Sequence, residues 1–381
     1  MECRQLLHGS SLPGGGQLAP LAELEPQLVL VFGSAETLRS PGYVALLQET
    51  FPGGPMVGCS TAGEISDRGV SEQTCVLTAV RFHGEVVIRV VEAAIPSMAS
   101  CQGAGAALGA ALQGPDLSAV LLFAKGVAVN GSAILAGLAS QVGSQVPITG
   151  GLAGDGGAFV ETLTLGPSGL SKDGAVAVGL YGAGLVLSHG SCGGWAPFGP
   201  ARKITRSREN ILYELDGEPA LNVYKRYLGD HAKGLPNSGL LFPLEILNPE
   251  RGRMGLIRTI LGVDEAEGYL VLAGDIESGG YLRLMHASTD DLVDGAEQAA
   301  QQAGSHRAGG AGQGLALLVS CVGRRLVMGD AVEEEIEVVG ATLGKSMTLS
   351  GFYSYGEFGP LGDSDCKLHN QTMTVTCIGE R

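Results

Sequence analysis

Short apolar runs alternate with helix-like stretches along the chain. Residues 28–34 (LVLVFGS) form an apolar run, and a helix-like stretch follows from residue 41 to about residue 50. A second apolar run then leads into residues 55–65 (PMVGCSTAGEI). Short strands that alternate with helices are typical of parallel pairing under a cover of helices. The pattern therefore predicts a strand–helix–strand unit.

This unit recurs further along the chain. Residues 315–323 and 347–358 repeat the two apolar runs, and residues 332–344 between them have apolar positions at helical spacing. A looser copy extends from residue 120 to residue 156. The internal repeat predicts a mixed α/β fold built from strand–helix–strand units, with mainly parallel sheets arranged in two packed domains.

A change in composition suggests where the two domains meet. Residues 193–199 (GGWAPFG) form a Gly/Pro-rich loop with the only tryptophan, and a helical pattern starts soon after at residues 216–220 (DGEPA). We place the boundary at residues 205–215, where a hinge is also expected. The predicted division is a leader over residues 1–27, a first domain over residues 28–210 and a second over residues 211–377.

Each copy ends in a glycine turn followed by an acid. Glu64 and Glu357 stand at the same distance after Gly58 and Gly351, and Asp155 takes this place in the looser copy. Glycine permits close approach of the backbone to a ligand, and ligands bind at the carboxyl ends of strands in open α/β sheets. These acids either accept a hydrogen bond from a ligand amine or cap their own turns through nearby N–H groups.

Charge and cysteine content narrow the function. The formal net charge of −15 argues against binding to nucleic acid or an anionic membrane surface. Residues 174–187 are uncharged, but they are short for a membrane span and contain glycines, so we expect a buried hairpin. The eight cysteines form no C-x-x-C motif, and no secretory signal is evident, so a cytoplasmic location is expected.

Motifs of common enzymes and cofactor sites are missing from the sequence. There is no P-loop, no H-E-x-x-H and no G-x-S-x-G, so we expect that the protein is not an enzyme. Cys59 follows a strand and a glycine, where it is either a nucleophile of a hydrolase or a packed, inert thiol. Cys366 and His369 have a spacing found in zinc sites, but no second pair accompanies them.

Several longer segments resemble the FIST family. They follow the order of its N and C parts and span about residues 28–377: VGCSTAGEI, TGGLAGDG, GGWAPFGP, LYELDGEPAL, GLLFPLEI, GFYSYGEFGP and CKLHNQT. The resemblance implies a FIST N domain at 28–210, a FIST C domain at 211–377 and a sensory, ligand-binding role in bacterial signal transduction. A chain with no attached effector is similar to the nitric-oxide-sensing NosP-type haemoproteins, which implies haem b and a separate histidine kinase or cyclic-di-GMP signalling protein as partner.

The resemblance also ranks the candidate haem ligands. The CKLHNQT motif is general to the family, whereas the other two positions vary among its members, so the order is His286, His231 and then His369. His286 is thus the predicted metal ligand. Further pocket candidates are Cys59, Glu64, Asp155, Trp195, Tyr353, Tyr355, Glu357 and Asn370. The alternative is a receptor for a small metabolite such as an amino acid, without haem, and homodimer formation stays open.

Overall fold

Three similar α/β units and one inserted sheet build the protein. The computed structural model describes residues 1–276, 278–305, 313–361 and 365–381. The first unit consists of β1 (Glu2–His8), α1 (Gly15–Ala22), β2 (Leu28–Gly33), α2 (Ala35–Leu38), α3 (Tyr43–Thr50), β3 (Met56–Ser60), β4 (Glu64–Ser66), β5 (Gly69–Ser71) and β6 (Cys75–Arg81). Residues 1–27, predicted as a leader, thus contribute a strand and a helix to this unit.

The second unit repeats this order with longer helices. Its elements are β7 (Val87–Ala94), α4 (Cys101–Leu112), β8 (Leu117–Ala124), α5 (Gly131–Val142), β9 (Ile148–Leu152), β10 (Thr164–Gly166), β11 (Gly169–Ser171) and β12 (Gly174–Tyr181).

The third unit is interrupted by the inserted sheet. It starts with β13 (Leu185–Cys192). The insertion then contributes β14 (Ala196–Arg208), β15 (Ile211–Leu215), β16 (Glu218–Pro219), α6 (Ala220–Leu228), β17 (Leu244–Leu247), β18 (Arg253–Arg258), β19 (Ile260–Asp264), β20 (Tyr269–Leu272) and β21 (Tyr281–His286). The unit resumes with α7 (Thr289–Ser305), β22 (Gly314–Cys321), α8 (Val322–Met328), α9 (Val332–Leu343), β23 (Met347–Ser354), β24 (Glu357–Pro360), β25 (Cys366–His369) and β26 (Met373–Glu380).

The three units exchange their hairpins in a closed ring. In each unit the first two core strands pair in parallel: β2 with β3, β8 with β9 and β22 with β23. The following hairpin leaves its own unit: β4–β5 extends the sheet of β23, β10–β11 extends that of β3, and β24–β25 extends that of β9. Each unit therefore completes a neighbour's sheet, and the three copies have cyclic pseudo-threefold symmetry.

The centre of the ring is a packed aromatic core. The Phe32 ring lies 4.8 Å from that of Phe352 and 5.4 Å from that of Phe123, between centroids. Along β2, Leu28, Leu30 and Phe32 join this core, while Val29 and Val31 face the helices of the first unit. Both faces of the strand are buried, which explains its unbroken apolar sequence.

A glycine on the second strand of each parallel pair fits this close packing. A Cβ atom at Gly58, Gly150 or Gly351 would overlap the carbonyl oxygen of a residue on the neighbouring strand, in each case at the equivalent position. The repeated glycines seen in the sequence thus allow the two strands to approach each other in every unit.

The α/β class and the repeated strand–helix–strand units are confirmed, but the sheets are mixed rather than mainly parallel. Parallel pairing occurs within the units, whereas the remaining pairs of the three sheets are antiparallel, so the sheets are mixed. The predicted hairpin at residues 174–187 is wrong, because β12 pairs with β7 and β8 whereas β13 pairs with β26. Among the described residues, no helix is long and apolar enough to cross a membrane.

The predicted division at residue 210 falls in the inserted sheet. It lies in the turn between the paired strands β14 and β15. The Gly-rich residues 305–314 (SHRAGGAGQG) predict a surface loop. Residues 306–312 of this stretch lie outside the described residues.

Candidate functional site

The two Gly–Glu turns have the same hydrogen bonds. Glu64 accepts hydrogen bonds from the hydroxyl of Thr61 and from both the N–H and the hydroxyl of Thr74. Glu357 accepts them from the hydroxyl of Ser354 and, at 3.2 and 2.8 Å, from the N–H and hydroxyl of Thr372. Burial raises the pKa of both carboxyl groups, that of Glu357 to about 8. These contacts favour turn caps over acceptors for a ligand amine.

Asp155 holds a different kind of loop. Its carboxylate accepts hydrogen bonds from the N–H groups of Phe159, Val160 and Glu161, and from the hydroxyl of Tyr355. The Tyr355 ring also stacks on Phe159, with 4.1 Å between ring centroids. Asp155 and Tyr355 are therefore brought together, and they fix the loop that precedes β10.

Tyr353 and Cys59 are fully buried in the core. The Tyr353 hydroxyl donates to Glu335, 2.6 Å away, and Glu335 forms a fully buried ion pair with Arg324. Burial raises the pKa of the Cys59 thiol well above its usual value, so the reactive thiolate is disfavoured. The burial of Cys59 therefore favours its interpretation as a packed, inert thiol.

His369 and Trp195 line a cavity between the third unit and the inserted sheet, and Asn370 follows His369 in the chain. The cavity has a volume of about 420 Å³ and is lined by His369 and Trp195 but not by Asn370, whose buried Oδ1 has no hydrogen-bond partner within the described residues. His369 is 2% exposed, and its Nε2 lies 3.1 Å from the carbonyl oxygen of Gly359. Burial lowers the pKa of His369 to about 4, so its imidazole is neutral.

The lining of this cavity also carries polar groups that sequence reasoning missed. Glu245 is buried and pairs with Arg253 and Arg283 at 2.6 and 2.7 Å. His189 bonds through Nδ1 to the Thr376 hydroxyl, and its buried Nε2 has no partner within the described residues. Burial, followed by the nearby His369, lowers the pKa of His189 to about 3. No local pattern predicts that these two histidines, 180 residues apart, line one cavity.

The two leading haem-ligand candidates both lie beside one phenylalanine. The ring centroid of Phe242 lies 5.2 Å from that of His231 and 6.3 Å from that of His286. The ring centroid of Phe198 lies 6.3 Å from those of Phe242 and His286. We call these four residues the His–Phe cluster. Both histidines are exposed, Phe198 is 44% exposed, and neither imidazole hydrogen-bonds to a described residue.

The His–Phe cluster depends on three separate segments of the chain. Phe198 lies in β14 and His286 ends β21. His231 lies in the 3₁₀ segment Gly229–Gly234, and Phe242 follows the next 3₁₀ segment, Asn237–Leu241. Phe242 belongs to the family-like segment GLLFPLEI, but only the fold places it beside the two histidines. Among the described residues, no group of three or more His, Cys, Asp or Glu could hold a metal ion alone. A metal at His286 would therefore need a cofactor to supply most of its ligands.

Comparison with known proteins identifies two domains in this chain. Models of the FIST N domain and the FIST C domain match residues 27–218 and 220–360. No curated protein matches the chain. A crystal structure of cyanuric acid hydrolase from A. caulinodans aligns with 100% of this chain and 99% of its own, at 10% identity and a TM-score of 0.36. That likeness says nothing about activity.

Proposed function

Because this chain belongs to the FIST family, whose domains are sensory ligand-binding domains of signal transduction, we propose that it senses nitric oxide through a haem b held by His286. The observation that carries this proposal is the His–Phe cluster. Two imidazoles without hydrogen bonds to described residues lie beside the half-buried ring of Phe242, and one of them also lies beside the exposed ring of Phe198.

The cluster fits the chemical needs of a haem. An iron ligand must be a neutral imidazole with an unoccupied nitrogen, and His286 meets the second condition within the described residues. The rings of Phe198 and Phe242 offer apolar surface for a porphyrin, and that surface would otherwise contact water. His369 does not fit, because it is buried and its Nε2 already lies against Gly359.

Each residue of the cluster has a proposed role. His286 binds the cofactor, and Phe198 and Phe242 contact it and exclude water. His231, whose ring lies 5.2 Å from that of Phe242, would serve as a hydrogen-bond donor in the pocket or as the ligand in place of His286. Bound ferrous haem with one histidine ligand supplies an open coordination position for a diatomic gas.

The signalling output is proposed to pass to another protein. We expect that this chain is a cytoplasmic sensor rather than an enzyme, and that it regulates a separate histidine kinase or a cyclic-di-GMP signalling protein. The family assignment supports the link to signalling proteins. The net charge of −15 supports a protein partner over nucleic acid or an anionic membrane.

A haem titration of the purified full chain tests this proposal. The wild type should give a stoichiometric Soret band that shifts when nitric oxide is added to the ferrous form. The His286→Ala variant should lose this spectrum and regain it in millimolar imidazole, whereas His83→Ala, at another exposed histidine, should match the wild type. A His286→Ala spectrum identical to that of the wild type would contradict the ligand assignment.

The alternative function has its own supporting observation. The 420 Å³ cavity is lined by Trp195, by the Glu245–Arg253 ion pair and by the unpartnered Nε2 of His189. A small metabolite with an acidic and a basic group, such as an amino acid, complements this lining. In that case Glu64 and Glu357 are structural, since their oxygens are already bonded within their own turns.

The only tryptophan of the chain makes the alternative easy to test. Amino acids are first screened by thermal shift, and a hit should change Trp195 fluorescence in a saturable way. Arg253→Gln should weaken this response, whereas Arg208→Gln, on an exposed arginine outside the cavity, should not. A chain that binds haem stoichiometrically and gives no response to any amino acid would rule the alternative out.

A further inference from the structure

A second, larger cavity lies between α5 and the inserted sheet. Its volume is about 870 Å³, in the range of sites for drug-sized ligands. Much of the lining is apolar, with Leu135 and Ile148 from the second unit and Ile246, Met254 and Leu256 from the insertion. None of its lining residues belongs to the His–Phe cluster or to the smaller cavity's Glu245–Arg253 pair. The cavity is therefore separate from both sites described above.

One buried cation, Arg258, also lines this apolar cavity. Arg258 is only 5% exposed, and its guanidinium donates to three carbonyl oxygens, those of Asp275, Ile257 and Leu368, each at 3.1 Å. Its Nη2 makes no hydrogen bond within the described residues, and no described carboxylate lies within ion-pair distance. The buried charge therefore has carbonyl dipoles as direct partners, and the nearby carboxylate of Asp275 acts on it from beyond ion-pair distance.

The surrounding chain is shaped to hold this arginine. A Cβ atom at Gly274 would lie 2.9 Å from Nε and 3.0 Å from Cζ of Arg258, so the glycine gives the guanidinium its room. The carboxylate of Asp275 raises the pKa of Arg258, yet burial outweighs this and lowers it to about 10. A buried charge without an ion-pair partner is costly, so a site that keeps one is expected to be completed by an anion.

We propose that this cavity binds an amphipathic carboxylate, with its carboxylate on Arg258 and its apolar body along the apolar lining of the cavity. The N–H groups of Nη2 remain as donors for the carboxylate, and such charge-assisted hydrogen bonds are among the strongest in proteins. Exposed Lys367 adds a second positive charge to the lining, and the exposed Asp275 and Asp365 also lie there, so Arg258 is the one buried charge of the described lining. The apolar lining selects for a hydrocarbon or aromatic body, because a fully polar anion would leave that surface unfilled.

Calorimetric titration of the full chain with decanoate tests the proposal, with decanol as the uncharged ligand of equal chain length. Decanoate should bind the wild type, and decanol should bind roughly tenfold or more weakly, the effect expected for one lost charged hydrogen bond. Arg258→Met should reduce decanoate affinity by a similar factor and leave decanol affinity unchanged. Arg208→Met, on an exposed arginine outside the cavity, should bind like the wild type.

A second variant guards against loss of folding in Arg258→Met. Ala136→Trp lies on the exposed side of α5, lines the cavity and leaves Arg258 in place, so it should block decanoate and decanol alike. Three results would overturn the proposal: no binding of decanoate to the wild type at millimolar concentration, equal binding of decanoate by wild type and Arg258→Met, or decanol binding as tight as that of decanoate.

Discussion

The buried ion pair between Arg324 and Glu335 gives the sharpest prediction about stability. Both side chains are fully buried, and Nε and Nη2 of Arg324 lie 2.8 and 2.5 Å from Oε1 of Glu335. Arg324 also donates to the carbonyl oxygens of Gly193 and Leu292, while Tyr353 and Ser320 donate to Oε2 of Glu335. The pair thus ties the loop before the insertion, α7 and the third unit together.

Removal of one charge should leave the other charge buried without an oppositely charged partner. Glu335→Gln is expected to lower the free energy of unfolding by about 3–5 kcal/mol, the usual cost of breaking a buried pair. That is a large part of the total stability of about 5–15 kcal/mol typical of folded domains. The double variant Arg324→Met/Glu335→Leu should lose less than the sum of the single changes, because it removes both charges together.

Urea unfolding followed by circular dichroism and Trp195 fluorescence provides the measurement. The matched control is Glu265→Gln, which breaks the solvent-exposed pair with Lys225 and should change stability little. A loss below about 1 kcal/mol for Glu335→Gln, which is typical of surface substitutions, would refute the reasoning. Strict additivity of the single changes in the double variant would also refute it.

Three further predictions concern the fold and its pH dependence. Gly351→Ala should destabilise the protein by about 1–3 kcal/mol or prevent folding, because its Cβ would overlap a neighbouring strand, whereas Gly379→Ala, with open space around it, should be tolerated in the same urea assay. Because burial lowers the pKa of His369, the imidazole binds a proton more readily in the unfolded chain than in the folded protein. The free energy of unfolding should therefore fall as the pH drops from 6.5 towards 4. His369→Gln should flatten this pH dependence in urea titrations at several pH values. Tyr355→Phe should speed proteolytic cleavage of the loop at residues 155–163 without a comparable loss of global stability, and cleavage at the wild-type rate would contradict the role given to the Tyr355 hydroxyl.

Local sequence patterns were sufficient to predict the strand–helix–strand units of the fold. The helices predicted from apolar spacing after residues 41 and 332 are α3 and α9, because such periodicity records which face of a helix is buried. The shared frame of Gly58 and Gly351 indicated equivalent turns, and the structure adds that both glycines touch the parallel neighbour strand. The acids after Ser288 and Thr289 in residues 288–302 (STDDLVDGAEQAAQQ) predict a helix capped by one of these two hydroxyls, and the Ser288 hydroxyl does accept a hydrogen bond from the N–H of Asp291.

Long-range pairing was not predictable in the same way. The hairpin that begins at Glu64 joins strand β23, nearly 290 residues away, and nothing in the local sequence specifies this partner. For the same reason the apolar residues 174–187 read as one hairpin, although their two strands belong to different sheets.

Some features of the candidate site were predictable from the sequence, and others were not. Sequence reasoning selected His231 and His286 separately, but it offered no reason to place them around Phe242. For Glu64 and Glu357 it left two interpretations open, and the threonine N–H groups that decide between them lie after the hairpin turn. Arg258 gave no signal, since its importance follows from burial without a direct ion pair.

The absorption spectrum of the His286→Ala variant, with haem added and in the presence and absence of imidazole, tests the central claim most directly. The account predicts that the Soret band of the ferrous wild type is lost in the variant, returns with imidazole and then shifts with nitric oxide. A variant that binds haem and nitric oxide like the wild type, or a wild type whose spectrum equals that of free haem, would contradict it.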